Sequence, residues 1–375
     1  MIDSPVAFEE RAAANGKRVA FATLNAPKSL NALTQTMIDA LHPQLERWAC
    51  DPGIACVVLA GSGDKAFCAG GDVVGMYRSI QERPGGPNPA AERFFESEYR
   101  LDYRIHTYPK PVLCWGQGIV MGGGLGLMAG ASHRVVTERS RIAMPEITIG
   151  LYPDVAGSWF LNRMPGRVGL FLGLTAARLN AADALYVGLA DYFLDGSRRQ
   201  EVMERLPELD WAEDAELNRG QLSLLLREFA DRDAGERPDS AVLRHMDLIN
   251  HVCDRHSVEH IRAALEQQGD AADPWIAEAR QALAAGSPTS ARVIFEQYRR
   301  GAHLSLREAF QMEMLMSINM IRRPDFAEGV RALLVDKDRN PRWQPPSLEQ
   351  VDDALVAAQF QLPAGMPINP LADLA

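Results

Sequence analysis

The first half of the chain alternates short apolar runs with helical patterns, and this alternation constrains the fold more than any other feature. Between the apolar runs, apolar residues three and four positions apart predict amphipathic helices at Leu33–Trp48 and Glu92–His106. The apolar runs themselves predict β-strands at Val19–Leu24, Ile54–Leu59, Pro111–Trp115 and Arg134–Thr137. Strands joined by crossover helices are typical of α/β proteins, so we expect an α/β core.

The second half of the chain has a different pattern. From about Gly157 onward we find no series of strands, only helical patterns interrupted by Pro207, Pro238, Pro274 and Pro288. The run Arg83–Pro89 is rich in Pro and Gly and predicts a mobile surface loop. We therefore expect a core domain over residues 1–200 and a predominantly helical C-terminal region over residues 201–375.

Composition and charge exclude several classes of protein. With 375 residues, 47% of them hydrophobic and 23% charged, the chain has the composition of an ordinary globular protein. Its net charge of −10 argues against general binding to nucleic acid or to an anionic membrane. The five cysteines are odd in number and include no CxxC pair, which predicts reduced thiols. No metal-ligand spacing is evident, so we expect no metal or redox cofactor.

The beginning of the sequence bears on location. Its first residues contain neither a basic leader nor the apolar core of a signal peptide. No later apolar run approaches the length that spans a membrane. We therefore expect a cytoplasmic protein that does not bind membranes.

Two glycine clusters follow predicted strands, one within Lys65–Asp72 and one at Gly122–Gly124. Glycines allow tight turns whose N–H groups can stabilise an oxyanion. Taken alone, the first cluster is more simply explained as a strand-to-helix turn without a ligand. The second, at a predicted helix N-terminus, also imitates a dinucleotide-binding fingerprint. Its helix is too short for that reading, and no acidic residue ends a well-placed second strand.

Glu146 and Asp154 follow the second glycine cluster within the run Met144–Asp154. Carboxylates flanked by Gly and Pro are usually caps or solvated charges. Here apolar residues surround them, so we expect burial to raise the pKa of one or both and to suit them to acid–base exchange. Neither an HExxH nor a GxSxG motif is present, which argues against a metallohydrolase or a serine hydrolase.

Together these motifs resemble the enoyl-CoA hydratase/isomerase, or crotonase, superfamily. The resemblance covers nearly the whole chain and is weakest from about Asp195 to Gly286. It rests on the segments Asn25–Leu33, Lys65–Asp72, Phe94–Tyr99, Gly116–Gly124, Ala143–Gly157, Ser287–Ser290, Arg323–Arg331, Asp336–Asp338 and Pro341–Trp343. It implies a crotonase-like spiral of strand-strand-helix repeats with a helical C-terminal region, and binding of acyl-CoA thioesters.

The resemblance also implies roles for individual residues. By motif position, the backbone N–H groups of Gly71 and Gly123 form the oxyanion hole around the thioester carbonyl. Glu146 matches the family's catalytic glutamate and Asp154 its aspartate. Glu98 matches a glutamate that contacts the substrate.

One position departs from the hydratase pattern. Hydratases of the family carry a glutamate three residues beyond the oxyanion glycine, where this chain has Gly126. The subgroup that hydrolyses short 3-hydroxyacyl-CoA thioesters has glycine there, and Pro-Asp-Val eight residues after its glutamate, as in this chain. The resemblance therefore favours thioester hydrolysis. A hydratase, a single-carboxylate isomerase and a non-catalytic acyl-CoA- or RNA-binding relative are the alternatives, and the pair Glu146 and Asp154 disfavours the last two.

The substrate implied by the resemblance brings phosphate groups, so particular cations must meet them. Lys28 and Lys65 are the candidates, with Lys337 a weaker one, and each has the alternative of being a solvated surface lysine. CoA enters as part of the substrate and not as a cofactor. The expected partner is a small-molecule acyl-CoA thioester, and the resemblance also allows a homo-oligomer.

Overall fold

The computed structural model describes residues 4–268 and 273–374. The chain divides into two compact units, each assembled from separate stretches of sequence. The first unit consists of Met1–Gly71, Leu101–Ile142 and Leu179–Leu243, and the second of Asp72–Arg100, Ala143–Arg178 and Arg244–Ala375. The division into residues 1–200 and 201–375 stays a prediction.

The strands form two sheets. They are β1 (Val6–Ala12), β2 (Arg18–Leu24), β3 (Ile54–Gly61), β4 (Ala66–Cys68), β5 (Val112–Gly116), β6 (Ile119–Met121), β7 (His133–Val136), β8 (Arg141–Ala143) and β9 (Tyr192–Phe193). The described residues give a six-stranded sheet in the order β1-β2-β3-β5-β7-β9 and a three-stranded sheet in the order β4-β6-β8. From β3 to β8, successive strands join the two sheets in turn. This is the predicted spiral of strand-strand-helix repeats.

The pairing within the larger sheet is parallel except at one edge. β1 pairs with β2 in antiparallel fashion, whereas β2, β3, β5, β7 and β9 run parallel to one another. All eight residues of β3 are buried, as expected for a central strand with both faces covered. The strands predicted from apolar runs are confirmed as β2, β3, β5 and β7, each within one or two residues of its predicted ends.

The helices confirm both helical predictions, since Leu33–Trp48 corresponds to α1 and Glu92–His106 to α3. They are α1 (Gln35–Cys50), α2 (Val73–Glu82), α3 (Pro89–His106), α4 (Gly123–Ala129), α5 (Gly157–Phe160), α6 (Val168–Thr175), α7 (Ala181–Tyr186), α8 (Arg199–Arg205), α9 (Ala215–Asp233), α10 (Ala241–Arg244), α11 (Met246–Cys253), α12 (Val258–Glu266), α13 (Pro274–Ala285), α14 (Pro288–Gly301), α15 (Leu306–Ile321), α16 (Pro324–Val330) and α17 (Asp353–Ala358). α1 begins after Thr34, whose side chain accepts a hydrogen bond from the N–H of Met37 at 3.2 Å.

The core of the first unit lies against the larger sheet. Side chains of β2, β3 and β5, among them Val19, Val58 and Trp115, pack with residues of α8 and α9 such as Leu226 and Phe229. Burying a side chain of this size contributes about 1.5–3 kcal/mol each. α9 thus belongs to the core of the first unit, although it lies in the region where the family resemblance is weakest.

The second unit is built mainly from helices, and their packing positions the acidic residues. α14 begins at Ser287, whose side chain accepts a hydrogen bond from the N–H of Ser290 at 3.1 Å. A capping box formed by Ser305 and Glu308 starts α15. α16 packs against α2, α15 and the 3₁₀ helix Glu146–Ile149. α6 and α13 also contact this 3₁₀ helix, so three helices hold the segment that carries Glu146.

The structure corrects two expectations about strands. β1 was missed because it is an edge strand in which only Val6 is buried, so it lacks the apolar run that marks a central strand. β9 contains only Tyr192 and Phe193, and it lies in a region predicted to contain helices alone. The run Arg83–Pro89 lies at the surface except for Asn88, whose side chain accepts a hydrogen bond from the N–H of Ala91 at 3.1 Å.

Candidate active site

Glu98, Glu146 and Asp154 form an acidic cluster in the second unit. Their residues are only 2%, 5% and 5% exposed, respectively. Burial raises the pKa of Glu98 and of Glu146 well above the usual value, and an ionised Asp154 would raise the pKa of both further. Burial also raises the pKa of Asp154, to about 6. The expectation that apolar surroundings raise these pKa values is confirmed.

Each member of the cluster is placed by a different element. Glu98 projects from α3, and Glu146 is the first residue of the 3₁₀ helix Glu146–Ile149. Asp154 lies in the loop between that helix and α5, and its carbonyl accepts a hydrogen bond from the N–H of Gly157 at 2.7 Å. The acidic cluster therefore rests on a short helix, a long helix and a tight loop of the same unit.

Two oxygens of the cluster lack hydrogen-bond partners. Among the described residues, Glu146 Oε2 and Glu98 Oε1 are buried and accept no hydrogen bond. Leaving such atoms unpaired costs about 1–3 kcal/mol each, and more when the group is charged. Because buried polar atoms are nearly always satisfied, these oxygens are candidates to contact a ligand.

Three hydroxyl groups adjoin the cluster, and no local sequence pattern indicates them. The Tyr99 hydroxyl lies 2.7 Å from Asp154 Oδ2 and 2.6 Å from Ser317 Oγ. Ser317 Oγ lies 2.7 Å from the Tyr152 hydroxyl, which donates a hydrogen bond to the carbonyl of Glu313 at 2.6 Å. A chain of hydrogen-bonded hydroxyls thus leads from Asp154 into α15.

The side chain of Glu313 supports the loop that follows Asp154. Its two carboxyl oxygens accept hydrogen bonds from the N–H groups of Ala156 and Ser158, each at 2.8 Å. Val155 and Ala156 have φ angles of 50° and 74°, which are unfavourable for residues other than glycine. Glu313 is a buried acidic residue in a helix, and only its distant partners in the folded chain reveal its role.

The glycine turns belong to the first unit. β4 and β6 are parallel neighbours, so the loops that follow them, with Gly71 and Gly123, leave the same edge of the small sheet. Gly71 forms a parallel bridge with Leu33. Gly122 adopts a φ of 49° and precedes Gly123, the first residue of α4. The positive φ requires glycine, and the predicted placement of this cluster at a helix N-terminus is confirmed.

The candidate cations also lie in the first unit, apart from Lys337. Lys28 is exposed on the 3₁₀ helix Pro27–Ser29, and Lys65 is exposed immediately before β4. Asn31 connects the two segments, since its side chain accepts a hydrogen bond from the N–H of Ala26 and donates to the carbonyl of Ala66, each at 3.0 Å. Lys337 is exposed after α16 with a φ of 59°.

The described residues contain neither a metal-binding cluster nor a membrane-spanning helix. Within residues 4–268 and 273–374, no group of three or more His, Cys, Asp or Glu side chains is arranged to hold a metal ion. The described helices include none that is long and apolar enough to cross a membrane. All five cysteines are free thiols, as predicted, and only Cys50 is exposed.

Comparison with known proteins establishes the class of the chain. The sequence profile of the family described as "Enoyl-CoA hydratase/isomerase" matches residues 19–360. The chain therefore belongs to the enoyl-CoA hydratase/isomerase family of the crotonase superfamily.

Two curated relatives of the same name are similar to this chain over most of its length. The chain is 39% identical over 340 residues to the 3-hydroxyisobutyryl-CoA hydrolase, mitochondrial, of Gallus gallus, covering 90% of this chain and 85% of that protein. It is 38% identical over 332 residues to the protein of the same name from Homo sapiens, covering 88% and 83%. The names of these relatives place them in mitochondria, whereas the cytoplasmic location of this chain stays a prediction.

Solved structures support the same fold. A carnitinyl-CoA dehydratase from Mycobacterium thermoresistibile superimposes with a TM-score of 0.83 at 34% identity, covering 96% of this chain and 97% of that one. An enoyl-CoA hydratase from Rhodobacter sphaeroides gives a TM-score of 0.81, also at 34% identity, with coverage of 95% and 97%. The match extends through the helical C-terminal region, which confirms the predicted fold class.

Proposed function

We propose that this protein is an acyl-CoA thioester hydrolase that releases CoA and a short 3-hydroxy acid, with 3-hydroxyisobutyryl-CoA, an intermediate of valine catabolism, as its substrate. The observation that carries the proposal is the buried pair of Glu146 and Asp154, in which Glu146 Oε2 has no partner among the described residues. The similarity to proteins named 3-hydroxyisobutyryl-CoA hydrolase supports it.

Glu146 acts on the thioester carbonyl by one of two routes. In the first, its carboxylate bonds to the carbonyl carbon, the C–S bond breaks, CoA leaves as a thiol after taking a proton, and water hydrolyses the resulting anhydride. In the second, Glu146 takes a proton from a water that attacks the same carbon directly, the C–S bond breaks, and CoA leaves as a thiol with that proton. Both routes consume one water and give the same products.

The remaining roles follow the family resemblance. The backbone N–H groups of Gly71 and Gly123 stabilise the oxyanion, and each such donor contributes about 2.7–4 kcal/mol in the transition state. Asp154 orients the 3-hydroxyl of the acyl group and tunes the charge of Glu146, and Glu98 contacts the substrate. No metal or redox group takes part in this scheme.

The absence of a glutamate from α4 favours hydrolysis over hydration. Addition of water to an enoyl-CoA in this family uses a second glutamate, where this chain has Gly126, a buried residue of α4. A glycine has no group that can transfer a proton. The solved structures of similar fold are named as a hydratase and a dehydratase, so hydration is the alternative that an experiment must test.

The deciding experiment measures two activities on one preparation. CoA release from 3-hydroxyisobutyryl-CoA is followed with a thiol-reactive dye, and hydration of crotonyl-CoA is followed by the loss of enoyl absorbance. We expect thiol release, and we expect Glu146→Gln to lower its kcat by about 10²–10⁴-fold. The exposed Glu278 on α13 provides the control Glu278→Gln, which should leave kcat unchanged. Enoyl loss without thiol release would identify a hydratase.

The role of Asp154 is tested with a substrate that lacks the 3-hydroxyl. Asp154→Asn should lower kcat/KM for 3-hydroxyisobutyryl-CoA more than for isobutyryl-CoA, because only the first offers a hydroxyl to orient. Equal losses with both substrates would limit Asp154 to an influence on Glu146. Lys28→Ala and Lys65→Ala should raise KM, with a smaller effect at high salt, if these lysines meet the CoA phosphates.

A further inference from the structure

The chain of hydroxyls that begins at Asp154 has four close oxygen–oxygen contacts, but its hydroxyl groups carry only three protons. Its contacts run from Asp154 Oδ2 to Tyr99, from Tyr99 to Ser317, from Ser317 to Tyr152, and from Tyr152 to the carbonyl of Glu313, at 2.7, 2.6, 2.7 and 2.6 Å. Oxygen atoms this close require a hydrogen between them. The three hydroxyls supply one proton each.

The direction of the chain is fixed at its inner end. A carbonyl oxygen can only accept, so the Tyr152 hydroxyl must donate to Glu313. Tyr152 then has no proton left for Ser317, and Ser317 must donate to Tyr152. By the same step Tyr99 must donate to Ser317, and the contact between Tyr99 and Asp154 is left without a proton from any hydroxyl.

We propose that Asp154 supplies the missing proton: its carboxyl group is neutral in the resting protein and donates from Oδ2 to the oxygen of Tyr99. Tyr99, Ser317 and Tyr152 are then positioning residues that hold this proton on Asp154. The catalytic role of this neutral carboxyl group rests on the proposed function. A neutral Asp154 leaves Oδ1 as an acceptor for the substrate hydroxyl and places no negative charge beside Glu146.

The surroundings of the hydroxyl chain favour a neutral carboxyl group. Tyr99, Tyr152 and Ser317 are 0% exposed. Burial raises the pKa of both tyrosines well above the usual value, so their hydroxyls keep their protons. Burial raises the pKa of Asp154 to about 6 against the opposite effect of a hydrogen bond donated by Tyr99, and this opposite effect is absent when Asp154 is the donor. An ionised Asp154 would break the order of the chain and leave one contact as a repulsion between two lone pairs.

An ionised Asp154 would raise the pKa of acidic groups on several elements packed around it. They are Glu98 and Tyr99 on α3, Glu146 on the 3₁₀ helix, Tyr152 on the loop that carries Asp154, and Glu313 on α15. Among these groups none brings a positive charge that would stabilise an ionised Asp154. Coupled carboxylates of this kind share protons, and the hydroxyl chain determines which of them holds one.

Two substitutions distinguish a neutral Asp154 from the opposite arrangement, in which Tyr99 donates to an ionised Asp154. In Tyr152→Phe, Ser317 loses its acceptor and becomes free to donate to Tyr99, which in turn becomes free to donate to Asp154. Ser317→Ala frees Tyr99 in the same way. Both substitutions should therefore make Asp154 easier to ionise, although neither touches it.

The test reads the protonation of Asp154 directly by infrared spectroscopy. Labelling the protein with ¹³C at the side-chain carboxyl carbon of aspartate shifts the neutral-acid bands of the aspartates away from those of Glu98, Glu146 and Glu313. The band lost in Asp154→Asn belongs to Asp154. We expect it to persist in the unsubstituted protein to a pH at least about one unit above the midpoint found in Tyr152→Phe and in Ser317→Ala. Tyr186→Phe, at a residue whose side chain is exposed on α7, should not move the midpoint.

Each outcome bears on the proposal. Absence of a neutral Asp154 band from pH 5 upward, or a midpoint that does not fall in either variant, would overturn it. CoA release measured on the same samples tests the proposed function separately, because the infrared band does not depend on turnover. A neutral Asp154 in a protein that releases no CoA would overturn the function and leave the proton assignment standing.

Discussion

The side-chain carboxyl group of Glu313 accepts a hydrogen bond from the backbone N–H of Ala156, with 2.8 Å between Oε2 and N. The same side chain accepts a second hydrogen bond from the N–H of Ser158 at 2.8 Å. These bonds hold a loop whose φ angles are unfavourable and which immediately follows Asp154. Helix α15 therefore fixes the position of Asp154 through the backbone, in addition to the hydroxyl contacts of Ser317.

We expect the free energy of unfolding to fall as the pH rises from about 4.5 to about 8, with Glu313 as one cause. Burial raises the pKa of Glu313 from the usual 4.5 to about 8. In this window the folded protein binds a proton that the unfolded chain has lost, so stability is greatest below it and declines through it. The slope due to one such group is at most about 1.4 kcal/mol per pH unit.

Urea unfolding at a series of pH values measures this slope. Glu313→Gln should flatten the curve across the window and lower stability at its acid end, because the amide cannot accept from both N–H groups. Glu278→Gln, at an exposed position, should leave the curve parallel to that of the unsubstituted protein. A Glu313→Gln curve that is also parallel would show that another group carries the dependence.

We expect Gly150→Ala to destabilise the protein strongly and to impair turnover. Gly150 ends the helix that begins at Glu146, with a φ of 70°, and a Cβ there would lie 2.4 Å from the carbonyl carbon of Asp325. The positive φ costs about 1–2 kcal/mol and the overlap about 1–3 kcal/mol more. Gly188→Ala is the matched control, since Gly188 has a φ of 76° and nothing within 4 Å.

Thermal or urea unfolding of both variants separates the two costs. Gly188→Ala should lose only the cost of the positive φ and keep full CoA release, whereas Gly150→Ala should lose more stability and displace Glu146. Equal losses in the two variants would show that the segment around Asp325 moves aside without cost.

Much of the fold follows from the sequence because its signals are local. The central strands and helices α1 and α3 were predicted from apolar spacing within a single window, and the burial of Glu146 and Asp154 from their apolar neighbours. β1 escaped prediction because an edge strand buries few residues. The local rules work wherever one face of an element is buried.

The support of the acidic cluster could not be predicted, since it depends on residues far apart in the sequence. Tyr99 and Ser317 are separated by 218 positions, and Tyr152 and Ser317 by 165. No local feature of the sequence distinguishes a tyrosine or serine with a distant buried partner from one without. The sequence around Glu313 likewise predicts no particular role for it, and only its tertiary contacts show that it holds the loop after Asp154.

Cys50 should be the one thiol of the native protein that reacts rapidly with a thiol-reactive dye. It is exposed, whereas Cys56, Cys68, Cys114 and Cys253 are buried. Burial raises the pKa of Cys253 to about 12 and raises the pKa of Cys56 and of Cys114 as well, which keeps them as unreactive thiols.

Titration of the thiols with the dye before and after unfolding in urea checks this expectation. Cys50→Ser should remove the rapid phase and leave four thiols that react only after unfolding, and it should also lower the background of the CoA-release assay. A second rapid thiol in Cys50→Ser would mean that a buried segment opens in the native state.

Asn31→Asp should destabilise the first unit and lower turnover, although it changes the shape of the side chain little. The Asn31 side chain is 0% exposed and donates hydrogen bonds to the carbonyls of Ser62 and Ala66, each at 3.0 Å. A carboxylate cannot donate, so both carbonyls lose their partner and a charge is buried beside them. We expect a loss of at least about 2 kcal/mol, and a lower kcat/KM because Ala66 begins the strand that leads to Gly71.

Unfolding at several pH values separates this explanation from a general loss of packing. Protonation of the introduced aspartate at acid pH restores one donor, so the difference in stability from the unsubstituted protein should shrink as the pH falls. Asn340→Asp, at an exposed residue, should change stability by no more than about 0.5 kcal/mol at any pH. A difference at Asn31→Asp that stays constant with pH would contradict this explanation, because it would show that neither the buried charge nor the lost donor to Ser62 and Ala66 causes it.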